Sequence, residues 1–328
     1  MWCRISAALS LFLLSPLIAE YLLGSLPMSM IAILPLMAMM YGSGAILIRE
    51  SVRRAGRGWP SIILLATAYG LLEEGFVTQS LFNPNYLHLR LLDFGFIPAP
   101  GTALPWLIFV VSIHVAWSIS VPIALTETLF KNQRETPWLG PIGFGIFALL
   151  LVLGGTLVAV FSYKQVPFLA TPAQFAATGA AILVLVIAAF AWPRRQALAE
   201  PRPAPHPVVL FLAALAAGSA VMLVQHVAAP KAHWSWQACV AAVILLEAAF
   251  VAFMIVFTRG KAWTDTQRFA LMAGGLFVYI WVGFGTDISL HGAADLPAHA
   301  VIAGLFVLLC AWAGFVALRP AKVCLVNP

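Results

Sequence analysis

The chain has 328 residues, of which 62% are hydrophobic and 9% charged, with a mean hydropathy of +0.97. Soluble domains carry roughly a quarter charged residues, so this composition excludes a soluble protein and implies an all-α polytopic membrane bundle, one transmembrane domain over 1–328. The net charge of +6 is spread over short segments without interleaved aromatics, so no nucleic-acid partner is expected. Cys3, Cys239, Cys310 and Cys324 show no CxxC spacing and imply neither a disulfide framework nor a zinc knuckle.

The opening MWCRISAALSLFLLSPLIAE lacks a small-residue cleavage site, and its apolar run continues to Leu26. It therefore reads as a retained first span rather than a signal peptide. Crossing about 30 Å of hydrocarbon at about 1.5 Å per residue takes about 20 apolar residues. Ten runs qualify, over 5–26, 28–48, 61–82, 104–130, 140–162, 174–192, 208–228, 236–258, 268–285 and 298–318. They are continuous, not alternating, which argues against a β-barrel.

With the N-terminus cytoplasmic, the inner segments hold 15 of the 18 Lys and Arg residues, and the other face keeps only Arg90, Lys164 and Lys231. A wrong span count would destroy this asymmetry, so ten spans with both termini cytoplasmic are expected. Two connections differ from the rest. Residues 83–103 hold Leu91, Leu92, Phe94, Phe96 and Ile97 among glycines and prolines, an outer loop apolar enough to serve as a lid. The stretch PRRQALAEPRPAPHP, 193–207, reads as a Pro-rich cytoplasmic linker between the sixth and seventh spans.

Within the third span, YGLLEEGFVTQSLFNP places Glu73 and Glu74 side by side in lipid. Glu73 lies roughly 18 Å from the inner boundary and His114, on the fourth span, roughly 15 Å from the outer one. The two depths nearly coincide, and consecutive spans are natural neighbours. A charged carboxylate at a helix centre costs about 2.5–3.5 kcal/mol, so the pair must be neutral or tightly partnered. Adjacent helical residues point about 100° apart, which suggests one acid facing a reaction centre and the other orienting a neighbour. Tyr69, Thr78 and Ser118 lie one turn from Glu73, Glu74 and His114 and supply hydrogen-bonding groups on the same faces. The bland alternative is a satisfied interhelical contact.

Glu20 and Glu247 are further membrane acids for which a packing hydrogen bond explains as much as a function. Glu127 is near enough to the cytoplasmic end of its span to reach the interface. His291, Asp295 and His299 follow one another at four-residue steps in DISLHGAADLPAH; a metal site fits that spacing, but an exposed polar loop is the simpler reading.

EEGFVT on one span and the histidine of VVSIHVAWS on the next resemble the CAAX-prenyl-protease-like intramembrane protease family, also called the Abi or bacteriocin-processing family, over residues 61–130. The resemblance implies Glu73 as the base that activates water, Glu74 as its orienting partner and His114 beside the scissile carbonyl. Thr78 stands where the family's EExxxR has arginine, Phe109 is five residues before His114 where FxxxH requires four, and no later span carries a clear third-motif histidine. A divalent metal is compatible with the site, although His114 and one carboxylate make two ligands where catalytic zinc has three.

The sequence thus points to an intramembrane peptidase acting on a membrane-embedded peptide in the plasma (inner) membrane of a bacterium. Two rivals remain: a ten-helix secondary transporter of the drug/metabolite type, with the membrane acids carrying protons, and a non-catalytic scaffold. No internal repeat supports the transporter.

Overall fold

The computed structural model describes residues 2–193, 202–228 and 232–319. Among them are ten helices long and apolar enough to cross a membrane: α1 (Arg4–Leu22), α2 (Met28–Arg54), α3 (Trp59–Val77), α4 (Leu104–Leu129), α5 (Pro141–Gln165), α6 (Pro172–Ala191), α7 (Pro207–Ala228), α8 (Trp236–Thr258), α9 (Asp265–His291) and α10 (Leu296–Leu318). Proline in the first turn opens α3 to α7 and α10, where a missing N–H costs nothing. Capping boxes at Thr171/Gln174 and Thr264/Gln267 start α6 and α9.

Burial divides the helices into an inner and an outer set. In α1 to α4 and α9 half or more of the apolar window is buried, against 6% in α8. Around that centre, α9 packs on α7 and α10, α3 on α6, and α2 on α5. Lipid cannot hydrogen-bond a backbone, so the outer helices present apolar side chains such as Leu183, Leu245 and Leu308.

Several ends differ from the expected spans. α3 stops at Val77 because Gln79 takes a left-handed backbone (φ 55°), after which its side chain accepts the Ala170 N–H at 2.7 Å. α2 continues to Arg54 and carries Arg49 and Arg53 into the protein interior. Glu127, expected at the interface, is instead 5% exposed and paired with both arginines. DISLHGAADLPAH is two helix ends joined by a short exposed turn: α9 runs to His291, residues 292–294 are exposed, α10 begins at Leu296, and Asp287 and His299 at either end are buried.

The connection 83–103 makes a short turn at Tyr86–His88 and pairs β1 (Phe96–Ile97) with β2 (Thr102–Ala103) antiparallel. Leu92 is tucked inward, and Gln174 Nε2 at the start of α6 donates to the Pro100 carbonyl at 3.2 Å. Within the Pro-rich stretch, 194–201 lie outside the described residues. Beyond them β3 (Arg202–Pro203) pairs with β4 (Lys261–Ala262), and Gln267 Nε2 donates to the carbonyls of Ala204 and Pro205.

Candidate functional site

Four helices meet around His114, and each winds more widely at that level. The segments Leu17–Leu22 of α1, Ala38–Gly42 of α2, Glu73–Val77 of α3 and His114–Ser120 of α4 are π-helical. In α3 the Thr78 N–H reaches back to the Glu73 carbonyl at 2.8 Å, an i→i+5 bond. Such turns are rare and concentrate at functional sites. Here they carry Glu20, Tyr41, both adjacent glutamates, His114 and Ser118.

The wider turn changes what Glu73 and Glu74 can do. Divergence of about 100° between neighbours holds for a regular α-helix, but in this winding both carboxylates reach His114. Glu74 Oε1 accepts a hydrogen bond from His114 Nε2 at 2.8 Å, and Glu73 Oε2 stands 3.5 Å from Nδ1. Glycines let the helices close in: a Cβ on Gly70 would lie 3.2 Å from the His114 Cβ.

The two acids are held differently. Glu74 Oε2 accepts from Thr78 Oγ1 at 2.9 Å and from Ser80 Oγ, which in turn accepts from Trp106 Nε1 at 3.0 Å. With His114 on its other oxygen, Glu74 is saturated and fixes the imidazole. Glu73 Oε2, by contrast, makes no well-formed hydrogen bond although Glu73 is 2% exposed; the Tyr69 and Tyr41 hydroxyls are its polar neighbours beside His114. His114 Nδ1 shares a 3.0 Å hydrogen bond with Ser118 Oγ.

The structure thus gathers Glu73, Glu74, His114, Tyr69, Thr78 and Ser118. It adds groups the sequence did not connect to them. The Tyr41 ring stacks on His114 at 6.0 Å, and its hydroxyl donates to Glu20 Oε1 at 2.5 Å; Glu20 Oε2 accepts from Ser25 Oγ at 2.5 Å. Matching the depth of Tyr41 on the second span would have found it. Ser80 and Trp106 had no such signal, because they come from beyond the α3 terminus and from the start of α4. Glu247 lies apart, bonded to Ser112 on the facing helix.

Glu73, Glu74 and His114 are the one group of three metal-ligating side chains gathered closely among the described residues, with donor atoms within 4.8 Å of one another. One nitrogen and two carboxylates suit a divalent transition metal, so these three residues could hold such an ion. The Tyr69 ring, edge-on to His114 at 6.2 Å, is seated against the α2 backbone at Gly44, where a Cβ would overlap the ring. Gly44→Ala is therefore expected to cost about 1–3 kcal/mol, read as a lower Tm in detergent, and to displace Tyr69 from the site.

A cavity of about 280 Å³ adjoins these groups, lined by Leu72, Phe76, Leu151 and Gly155 with Tyr69 and Glu73 among its walls. Val152 and Thr156 of α5, which also line it, are exposed on the outside of the bundle. The cavity therefore opens sideways, toward the space lipid would fill.

Comparison with known proteins yields one family match. A family model described as an uncharacterized membrane protein family matches residues 9–326. No curated protein and no solved structure matches the chain. The resemblance to the CAAX-prenyl-protease-like family is therefore corrected: it covered only 61–130, whereas this other family's model spans nearly the whole chain. The local geometry agrees with the correction, since the position of that family's arginine is Thr78, which hydrogen-bonds Glu74. The chain belongs to the uncharacterized membrane protein family.

Proposed function

We propose that this protein is a membrane-embedded hydrolase that cleaves a peptide segment drawn from the bilayer. One observation carries the reading: Glu73 belongs both to the His114 cluster and to the wall of the sideways-opening cavity, and its Oε2, 3.5 Å from His114 Nδ1, makes no hydrogen bond. A carboxylate so placed can take a proton from water while the water oxygen adds to the substrate carbonyl carbon. The tetrahedral adduct then collapses with cleavage of the C–N bond, and the abstracted proton passes to the leaving amine. Glu74 holds the His114 ring beside Glu73, so that the imidazole can move this proton or stabilise the adduct's charge. A divalent ion held by the three residues would polarise the carbonyl.

Ser118 is a less fitting nucleophile. It completes a Ser–His–Glu line with His114 and Glu74, but Glu73 and not Ser118 lines the cavity. The basic segments favour the plasma membrane of a bacterium with both termini in the cytoplasm.

The reading is tested with the full chain in liposomes containing a panel of membrane-spanning reporter peptides. A Cβ on Gly155 would make only ordinary contact, 3.5 Å from Val77, so Gly155→Leu takes up cavity space from α5 while leaving Glu73, Glu74 and His114 unaltered in sequence. Cleavage by the wild type that falls about 10²-fold in Gly155→Leu, with Tm retained, supports the proposal. No cleavage of any reporter by the wild type, or cleavage indifferent to the substitution, overturns it.

A further inference from the structure

Hydrolysis of a peptide bond needs, besides a base, a donor for the negative charge that develops on the carbonyl oxygen. That donor must reach the same space as Glu73, because the water that Glu73 activates adds to the carbon bonded to this oxygen. Most polar groups around His114 are engaged elsewhere. Thr78 Oγ1 and Ser80 Oγ donate to Glu74, the Tyr41 hydroxyl donates to Glu20, and His114 is held by Glu74 on Nε2 and by Ser118 on Nδ1. None of these donors lines the cavity.

Tyr69 does. Its side chain, 5% exposed, forms part of the cavity wall together with Glu73, one turn further along α3. Residues four apart share a helix face, which sets the phenol beside the carboxylate, and neither the hydroxyl nor Glu73 Oε2 makes a well-formed hydrogen bond. Thr156 is the other hydroxyl residue of the wall, but it lies on the exposed outer side of α5.

The phenol is also held still. A Cβ on Gly44 would lie 2.3 Å from Tyr69 Cε2, and the ring stands edge-on to His114 at 6.2 Å and tilted against Tyr41 at 6.3 Å. A donor fixed before the substrate arrives needs no reorganisation when charge develops. The neighbouring carboxylate sets the timing. While Glu73 is ionised it attracts the phenol proton; once it has taken the proton from water that attraction weakens, and the hydroxyl is freed toward the new alkoxide. The bond to substrate is then stronger in the transition state than in the ground state, which is the condition for raising kcat.

Resting on the hydrolase reading, we infer that Tyr69 is a catalytic residue whose hydroxyl donates a hydrogen bond to the carbonyl oxygen of the scissile peptide as water adds. The phenol keeps its proton throughout. The carbonyl π pair moves onto oxygen when water adds and returns when the C–N bond breaks, and the water proton travels by way of Glu73 to the leaving amine.

The test uses the full chain in liposomes with the reporter peptide that the wild type cleaves best, and with a peptide phosphinate of the same sequence as a charged tetrahedral mimic of the adduct. Tyr69→Phe is expected to lower kcat about 10²–10³-fold, with KM and Tm almost unchanged, and to weaken phosphinate binding by a similar factor. A second comparison holds side-chain size constant. At position 69, 4-aminophenylalanine restores an N–H donor and should recover part of kcat, whereas 4-methylphenylalanine, of similar shape but without a donor, should not. That pair gives the readout should Tyr69→Phe fold poorly. A wild type that cleaves while the donor-free variants keep its kcat, or differ from it only in KM, overturns the assignment of Tyr69 and leaves the hydrolase reading standing. A wild type that cleaves no reporter overturns both.

Discussion

Glu73→Gln is expected to lower reporter-peptide cleavage in liposomes by about 10²–10⁴-fold, the range in which a positioned general base acts, while leaving Tm almost unchanged. The amide keeps the volume and planarity of the carboxylate but cannot accept the water proton. Its small effect on stability follows from the contacts: Glu73 Oε2 makes no hydrogen bond and stands 3.5 Å from His114 Nδ1, a separation that an amide oxygen fills as well. Glu74→Gln provides the internal contrast. Its carboxylate receives His114, Thr78 and Ser80, and an amide nitrogen in place of either oxygen would face a donor. Activity and Tm should therefore fall together in Glu74→Gln and separate in Glu73→Gln. Equal loss of stability in both, or undiminished cleavage in Glu73→Gln, would remove Glu73 from the role of base.

How much of this site was legible in the sequence depended on which rule carried the signal. Depth did: counting residues from the ends of two consecutive spans brought Glu73, Glu74 and His114 together, because helical rise is nearly constant and lipid makes unpaired acids costly. Direction did not. The angle between neighbouring side chains assumes regular α-helix, and the π-turns at Glu73–Val77 and His114–Ser120 set both carboxylates against one imidazole. Nothing in hydrophobic periodicity marks a single wide turn.

The other departures from expectation share one cause. Local polarity reads Glu127 as an interface residue and Asp287 as part of an exposed loop, whereas distant segments cover both side chains. Arg49 and Arg53 meet Glu127 from α2, and the end of α1 packs beside Asp287. A polar residue near a helix end looks the same in sequence whether water or another helix faces it. The local EE and histidine pattern likewise suggested a family through residues any buried acid–histidine contact could use, while the family model rests on nearly the whole chain.

Arg49→Ala is expected to destabilise the fold by about 3–5 kcal/mol, the cost of removing one partner from a buried ion pair, and so to exceed both Gly44→Ala and Glu73→Gln. Arg49 is fully buried. Its guanidinium meets Glu127 at 3.1 Å and Glu50 at 2.7 Å, and donates to the carbonyls of Thr136 and Arg134, each at 2.8 Å. It also lies 3.6 Å from the centre of the Trp138 ring. Glu50 completes the arrangement by accepting the Trp138 and Leu139 N–H groups at 2.9 and 3.1 Å. One planar fork thus ties the end of α2 to α4 and to the connection leading into α5. Alanine would leave Glu50 with only the longer 3.7 Å contact to Arg54 for an ion pair and several carbonyls without a donor, and Arg53 alone would remain on Glu127. Arg49→Lys should recover only part of the loss, because an ammonium retains the charge but not the fork. Thermal unfolding in nanodiscs checks the ranking: Tm should fall most in Arg49→Ala, less in Arg49→Lys, and little in Glu73→Gln. The same variants report on the site, since α2 carries Tyr41 and α4 carries His114. If the ion network sets the spacing of those two helices, Arg49→Lys should lose cleavage activity at temperatures where it is still folded. Full activity in a destabilised Arg49→Lys would show instead that the network holds the fold and leaves the His114 cluster alone.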